Sequence, residues 1–249
     1  MSEDDHQLAA RLAAEAGRLL VALREDGWRS GAHAWQVMDE GDMASHHFLV
    51  GALRAARPSD AILSEEGRDS PNRLSANRVW IVDPLDGTNE FGEPGRPDWA
   101  VHVALVVGGD LAAAAVALPA QGQLFATVPA SPLPPPPAGR PLRIVTSRHR
   151  SPYATQLLAA ALGADVLRMG SAGAKAMAVV RGDADVYAHA GGMYEWDSAA
   201  PAAVAAAAGL HVSRIDGSPL VYNRPDPWLP DLLVCRPELA GPVLEVLWG

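Results

Sequence analysis

Asp83 and Asp86 sit at the end of Val79-Trp80-Ile81-Val82, in the run Asp83-Pro84-Leu85-Asp86-Gly87-Thr88. The four apolar residues predict a buried strand. Delivering two carboxylates from such a strand into one turn is costly, because like charges a few ångströms apart repel and lose hydration. A divalent cation removes the conflict, and hard oxygen donors of this kind suit Mg²⁺. Pro84 fixes the backbone and Gly87 admits positive φ. The amides of Gly87 and Thr88 can then face an anion if a helix follows. A lone Asp-Gly is commonly just an Asx-turn; two acids flanking Pro-Leu after a buried strand point instead to metal binding.

Further acids lie where they can join the pair. Ala61-Ile62-Leu63 reads as a short strand ending at Ser64-Glu65-Glu66-Gly67. Far downstream, Tyr194-Glu195-Trp196-Asp197 precedes an alanine-rich run to Gly209. Asp197 is predicted as a helix N-cap, with Pro201 in the first turn and Gly209 as the stop. Taken singly, the Glu pair would be a solvated turn and Asp197 a plain cap. Their combination with the double-aspartate turn is what suggests a site.

These residues need elements to hold them. Leu8, Leu12, Ala16, Leu19, Leu20 and Leu23 fall on one helical face. Residues 43–57 predict a second helix, with Phe48, Leu49, Ala52 and Leu53 inward, Pro58 as a stop, and Asp42 at its N-cap. Strands are expected over 99–107, 112–119 and 122–128, joined by glycine turns into an antiparallel meander. Residues 129–141 are proline-rich and read as an extended connector or surface loop. Beyond them strands (142–146, 165–168, 184–188, 232–235) alternate with helices (152–162, 172–181, 198–208 and a C-terminal one), a βαβ rhythm. The expectation is an α/β chain: an α+β half over 1–128 carrying the metal turn, the connector, and an α/β half over 142–249 contributing Asp197.

Composition narrows the class. At 249 residues, 49% hydrophobic and only 20% charged, the chain can bury a large core and is not disordered. The single cysteine, Cys235, excludes an internal disulfide and reads as a core strand residue. The acidic N-terminus lacks the features of a signal peptide, and the apolar tracts near 111–118 and 202–210 are too short to span a bilayer, so a cytoplasmic protein is expected. A net charge of −9 disfavours nucleic acid and anionic membranes as partners. It leaves a small phosphorylated substrate open, since bound Mg²⁺ reverses the local sign.

The set Asp42, Glu65-Glu66, Asp83 to Thr88 and Trp196-Asp197-Ser198-Ala199-Ala200 resembles the Mg²⁺-dependent, lithium-sensitive phosphatases of the inositol monophosphatase superfamily, in order and approximate spacing. Within it the chain is most similar to bacterial 3′(2′),5′-bisphosphate nucleotidases of the CysQ type. The segments Asn89-Glu90-Phe91, Thr146-Ser147-Arg148-His149 and Gly170 to Lys175 carry that likeness. Ala190 stands where inositol phosphatases place an acid that grips inositol hydroxyls. The resemblance implies a layered αβαβα sugar-phosphatase fold and hydrolysis of the 3′-phosphate of adenosine 3′,5′-bisphosphate, with the sulfated precursor as a further substrate. Such an enzyme would clear a by-product of sulfate assimilation. Inositol-1-phosphatase or fructose-1,6-bisphosphatase activity is the alternative, and a silent metal- or nucleotide-binding regulator the reading from another class.

The resemblance also implies roles. Glu65, Asp83 and the Leu85 carbonyl would hold one Mg²⁺, Asp83 would bridge to a second held with Asp86 and Asp197, and a third would share Glu65. Asp42 and Thr88 would orient and activate water. Gly87, Thr88, Arg148, Ser171 and Lys175, beside the metal-bound Glu65, Leu85, Asp86 and Asp197, are the expected substrate contacts. Glu66 and Glu90 read equally as supporting groups or surface acids, and His102 and His189 as core or rim histidines. A homodimer is among the assemblies the family adopts; no residue marks an interface.

Overall fold

The computed structural model describes residues 3–133, 135–136, 138–149 and 152–248. Met1 and Ser2 of the acidic N-terminus, and Pro134 and Pro137 of the connector, lie outside the described residues. Helix α1 (Asp5–Ser30) starts at Asp4, whose carboxylate accepts the Gln7 amide while Gln7 reaches back to the Asp4 amide. Its buried ridge runs through Leu8, Leu12, Ala16 and Leu20; Leu19 instead faces solvent, one position off the ridge. Helix α2 (Ala34–Ala56) begins nine residues before the expected start at 43, so Asp42 lies inside the helix and is not its N-cap. His33 takes the cap position, with Gln36 reaching back to its amide. The helix formers at 34–40 simply extend the helix N-terminally.

The first sheet contains β1 (Ala61–Ser64), β2 (Arg78–Asp86), β3 (Ala100–Val107), β4 (Asp110–Leu118) and β5 (Gln123–Ala126), in that order. β1 runs parallel to β2, and β2 to β5 form the expected antiparallel meander. Alternate residues of its strands serve two cores. Trp80, Val82, Val101, Val103 and Leu105 pack with α1 and α2; Val79, Ile81, Ala104 and Val106 pack on the opposite face. A short helix, α3 (Thr88–Phe91), follows β2 directly.

The second sheet has the order β7-β6-β8-β10-β9, from β6 (Arg143–Ser147), β7 (Asp165–Met169), β8 (Val186–Tyr194), β9 (His211–Ser213) and β10 (Trp228–Cys235). β6 is parallel to β7 and β8, whereas β10 is antiparallel to both β8 and β9. The purely βαβ reading of this half is therefore corrected to a mixed sheet. Residue periodicity locates strands but says nothing of their direction, and β9 is too short to register as a strand.

Between the sheets lie α5 (Ala172–Arg181) and α6 (Glu195–Ala207), while α4 (Tyr153–Leu162) and α7 (Ala240–Trp248) cover the outer face of the second sheet. The order is helices, sheet, helices, sheet, helices, the layered α/β arrangement expected. Helix α6 is buried on nearly all sides with Ala199, Ala200, Ala202, Ala203 and Ala205, as a helix between two sheets must be. Pro201 lies within it and not in its first turn, because the helix opens at Glu195. Cys235 is fully buried in β10.

Arg24 locks the loop that follows the double-aspartate turn. Its buried guanidinium donates to the carbonyls of Phe91, Glu90, Glu93 and Arg96, and lies 5.5 Å from the Phe91 ring centroid. Arg24→Met would remove the guanidinium donors from all four carbonyls, of which Glu90 and Glu93 keep backbone amide donors, and a loss of about 2–4 kcal/mol in urea-unfolding stability is expected. A loss below about 0.5 kcal/mol would show that water replaces the guanidinium.

Candidate metal centre

The site forms where the ends of β1 and β2 meet the N-terminal ends of α3, α5 and α6. β2 is buried along its length except at Arg78, so Asp83 is wholly buried. Its Oδ1 accepts the Leu85 amide at 3.1 Å, while its Oδ2 has no hydrogen-bond partner. An orphaned, fully buried carboxylate oxygen is costly unless a cation faces it. Ser45 of α2 clamps the turn by donating to the Pro84 carbonyl at 2.7 Å. Gly87, at φ 91°, turns the chain into α3; an added Cβ would meet Ser171 Cβ at 3.1 Å and the Asp98 carbonyl at 3.2 Å.

Asp86 is held differently. Its Oδ2 accepts from Ser171 Oγ at 2.5 Å and the Gly173 amide at 2.7 Å, with His102 Nε2 3.2 Å away at an angle too poor for a formed hydrogen bond. Ser171 caps α5 by accepting the Ala174 amide, at the unusual φ of 46°. The N-terminus of α5 is thus already engaged by Asp86. Lys175 is buried, and its Nζ donates to the carbonyls of Gly170 at 3.1 Å and Ser171 at 2.6 Å. Burial lowers the Lys175 pKa against the pull of Asp86 and Glu90.

Asp197 stands at the third position of α6, where its Oδ2 accepts the Tyr194 amide at 2.6 Å. The expected N-cap role passes to Tyr194, since the helix opens three residues early. Asp42, on α2, comes within 3.3 Å of the Thr88 hydroxyl, which also lies 3.1 Å from the Leu85 carbonyl. Glu65 follows β1, is exposed, and lies within electrostatic reach of Asp83, Asp86 and Asp197.

The electrostatics reflect this crowding. Burial, followed by Glu65, Asp86 and Asp197, pushes the Asp83 pKa well above the usual carboxylate range. Burial and Asp197 raise Glu65 to about 7, burial and Glu66 raise Asp42 to about 7, and burial and Asp86 raise Asp197 to about 6. Burial also opposes ionisation of Asp86, but His102, Lys175 and Ser171 outweigh it and hold that carboxyl low. Oxygen donors converging around an unsatisfied buried carboxylate fit a divalent cation. Ligand atoms of Asp83, Asp86 and His102 all lie within 4.8 Å of one another.

His102 was read from sequence only as a core or rim histidine, and the structure puts it against the centre. It is fully buried on β3 opposite Asp83 in the strand register. Its Nδ1 lies 3.0 Å from the Trp196 carbonyl, which only accepts, so that nitrogen carries a proton. A neutral ring would then aim the Nε2 lone pair at Asp86; the charged ring removes the conflict. Burial opposes that charge, but Asp86, the Trp196 carbonyl and Asp197 raise the pKa above its usual value. A histidine inside the apolar run Ala100–Val107 was the available signal.

The remaining expected contacts divide. Asp86, Ser171, Lys175 and Asp197 line a cavity of about 370 Å³, together with Thr146 and Trp228. Arg148 is engaged through Nη1 by Glu90 at 3.2 Å and Glu93 at 2.9 Å, so its charge is already partly matched. Glu90 is buried and also meets His149, unlike a surface acid. His189 lies on β8 at the same cavity, 2.8 Å from the Gly192 carbonyl.

A pH signature follows. In the metal-free protein, Asp42, Glu65 and Asp197 bind protons up to pH 6–7 that the unfolded chain has released by about pH 4–5. Folding stability therefore falls as pH rises through that window. Acids paired to arginine, such as Asp5 and Asp69, have lowered values and are ionised in both states above about pH 5. In EDTA the melting temperature is expected to be lower at pH 8 than at pH 5.5, with saturating divalent cation restoring most of the difference. A flat profile in EDTA would mean that water relieves the acids without metal.

Comparison with known proteins agrees with this geometry. The chain is 49% identical over 98% of its length to a Mycobacterium leprae protein named 3′-phosphoadenosine 5′-phosphate phosphatase, of which 93% is covered. It is 50% identical over 92% of its length to the Mycobacterium bovis protein of the same name, of which 88% is covered. The crystal structure of CysQ from Bacteroides thetaiotaomicron, a bacterial member of the inositol monophosphatase family, superposes with a TM-score of 0.81 at 25% identity, covering 94% of this chain and 97% of that one. Among the described residues, no helix is long and apolar enough to cross a membrane. The sequence profile of the inositol monophosphatase family matches residues 6–244, and with the acids of its double-aspartate turn gathered beside Asp42, Glu65 and Asp197, the chain belongs to that family.

Proposed function

We propose that this protein is a Mg²⁺-dependent phosphoric monoester hydrolase that removes the 3′-phosphate of adenosine 3′,5′-bisphosphate. The observation that carries the chemistry is the Thr88 hydroxyl, set 3.3 Å from the Asp42 carboxylate and 3.1 Å from the Leu85 carbonyl in the turn that also carries the orphaned Asp83 oxygen. A carboxylate that accepts from a hydroxyl in this way can take up the proton that the hydroxyl relays from water. The substrate rests on the two mycobacterial relatives, whose printed name is that of a phosphatase for this nucleotide.

Glu65, Asp83, Asp86, Asp197 and the Leu85 carbonyl would hold two or three Mg²⁺ ions. When bound, such ions neutralise charge on the phosphoryl group and make water more acidic. The chain itself does the rest. Thr88 lies between Asp42 and the Leu85 carbonyl, so its hydroxyl can orient a water and pass that water's proton to Asp42. The water oxygen bonds to phosphorus as the ester P–O bond breaks; the nucleoside 3′-oxygen takes its proton from a second water, and the resulting hydroxide is neutralised by the proton that Asp42 returns to solvent. His102 and Ser171 keep Asp86 aimed throughout. The cavity beside Lys175 and Trp228 is large enough for a nucleoside. We read residues 1–128 and 142–249 as two halves joined at 129–141, with a cytoplasmic setting. Inhibition by Li⁺ and a role in clearing a by-product of sulfate assimilation belong to the same reading.

The test is phosphate release from adenosine 3′,5′-bisphosphate, inositol 1-phosphate and fructose 1,6-bisphosphate at equal Mg²⁺. The bisphosphate nucleotide is expected to lead in kcat/KM by at least about tenfold, a difference of about 1.4 kcal/mol. A lead by either sugar phosphate would move the assignment to that substrate.

A further inference from the structure

A second cavity, of about 300 Å³, opens between the C-terminal half of α2 and the turn after β1. His46, His47 and Arg54 line it from the helix and Arg68 from the turn, with Ser64 at its edge; no carboxylate is in its wall. This is unusual in a chain of net charge −9. Neighbouring arginines are matched: Arg57 pairs with Asp5, Arg73 with Asp69, and Arg78 with Asp5 and Asp60. Among the described residues, Arg54 and Arg68 have no ion pair. His46 senses the accumulated charge, its pKa lowered by burial first and then by His47 and Arg54. Gly51 leaves open space in the wall where a side chain would stand.

We propose that this cavity is a binding site for a phosphate group, distinct from the carboxylate-lined centre. Two guanidinia and two imidazoles supply donors around a small concave volume, the complement that a tetrahedral dianion requires. The opposite charge of the two sites separates them: the metal-free centre repels anions, whereas the α2 cavity attracts them. The site is joined to the centre by one hydrogen bond. His46 Nδ1 lies 2.8 Å from Ser64 Oγ, and Ser64 directly precedes Glu65. An anion that draws on His46 therefore acts on the strand end that carries Glu65. The phosphate group can arrive as inorganic phosphate or on a small nucleotide. The proposal holds whichever ester the enzyme prefers.

The experiment is thermal unfolding and calorimetry of the full chain in EDTA, with inorganic phosphate or adenosine 5′-monophosphate against chloride at equal ionic strength. Phosphate is expected to raise the melting temperature by about 2–4 °C beyond chloride. The double variant Arg54→Ser/Arg68→Ser should lose at least about tenfold in affinity for whichever probe binds. Both side chains are exposed, so the variant is expected to fold; the His46 ring resonance in the parent protein, shifted on titrating phosphate, gives a readout that needs no variant. Tighter binding of the nucleotide identifies the carrier as a nucleotide, and equal binding identifies the free anion. Equal phosphate stabilisation of parent and variant, or none beyond chloride with an unmoved His46 resonance, overturns the proposal.

Discussion

Asp83→Asn is expected to lower phosphate release by about 10³-fold or more while leaving the protein folded. The wild-type carboxylate uses one oxygen for the Leu85 amide and leaves the other buried and bare. Asparagine can keep the first contact through its carbonyl, which puts an NH₂ donor where the bare oxygen was. A donor faced with a cation repels it, so the metal site should fail while the turn survives. The same substitution removes one charge from a cluster in which burial, Glu65, Asp86 and Asp197 all oppose ionisation of Asp83. In EDTA at pH 8 the variant should therefore melt above the wild type, the trade of stability for function seen at crowded sites. Activity and melting temperature must move in opposite directions. Retention of activity within tenfold would remove Asp83 from the metal centre.

Gly173→Ala should be nearly as damaging, from a residue that makes no use of a side chain. A Cβ at this position would lie 2.1 Å from His102 Nε2, and His102 is enclosed on every side. The ring must move, and with it go its contact with Asp86 and its hydrogen bond to the Trp196 carbonyl. Overpacking of this kind costs about 1–3 kcal/mol. Disturbing a group that orients a metal-binding carboxylate typically costs about 10–100-fold in metal affinity. Both losses are expected, measured by urea unfolding and by calorimetric titration with Mg²⁺. Combining the change with His102→Asn supplies the missing room. The double variant should then bind Mg²⁺ about as well as His102→Asn alone, a strong departure from additivity. Additive losses would mean that Gly173 acts through its amide to Asp86 and not through the histidine.

What could be read beforehand depended on how local each signal was. The strand at 79–82 and the residues 83–88 are a contiguous pattern; the structure has the strand there but carries it on to Asp86 through a register shift, and the chain turns only at Gly87. The helix over 172–181 was bounded by its own residues and is found with those limits. Asp42 and Asp197 were both assigned to caps because aspartate favours that position. Each instead sits inside a helix that begins earlier, since cap preference is worth only about 1 kcal/mol and the neighbours extend the helix. His102 escaped notice as a site residue for a different reason. Its partner on β2 is fixed by the β2–β3 register, a non-local fact that no short window contains. The direction of β10 was hidden likewise. Arg148 looked available because its acidic neighbours Glu90 and Glu93 lie more than fifty residues away in the chain.

The alanines of α6 have a reach beyond packing. From Ala199 to Ala205 no side chain exceeds valine in size, so this helix sets how near the two sheets come. Asp197 rides on the end of the same rod. A single enlarged side chain in the middle of the sandwich, such as Ala203→Leu, would act as a wedge whose displacement is delivered to the end of the lever that carries Asp197. Sites of inherited loss of activity in this chain should thus include positions that no substrate or ion ever approaches.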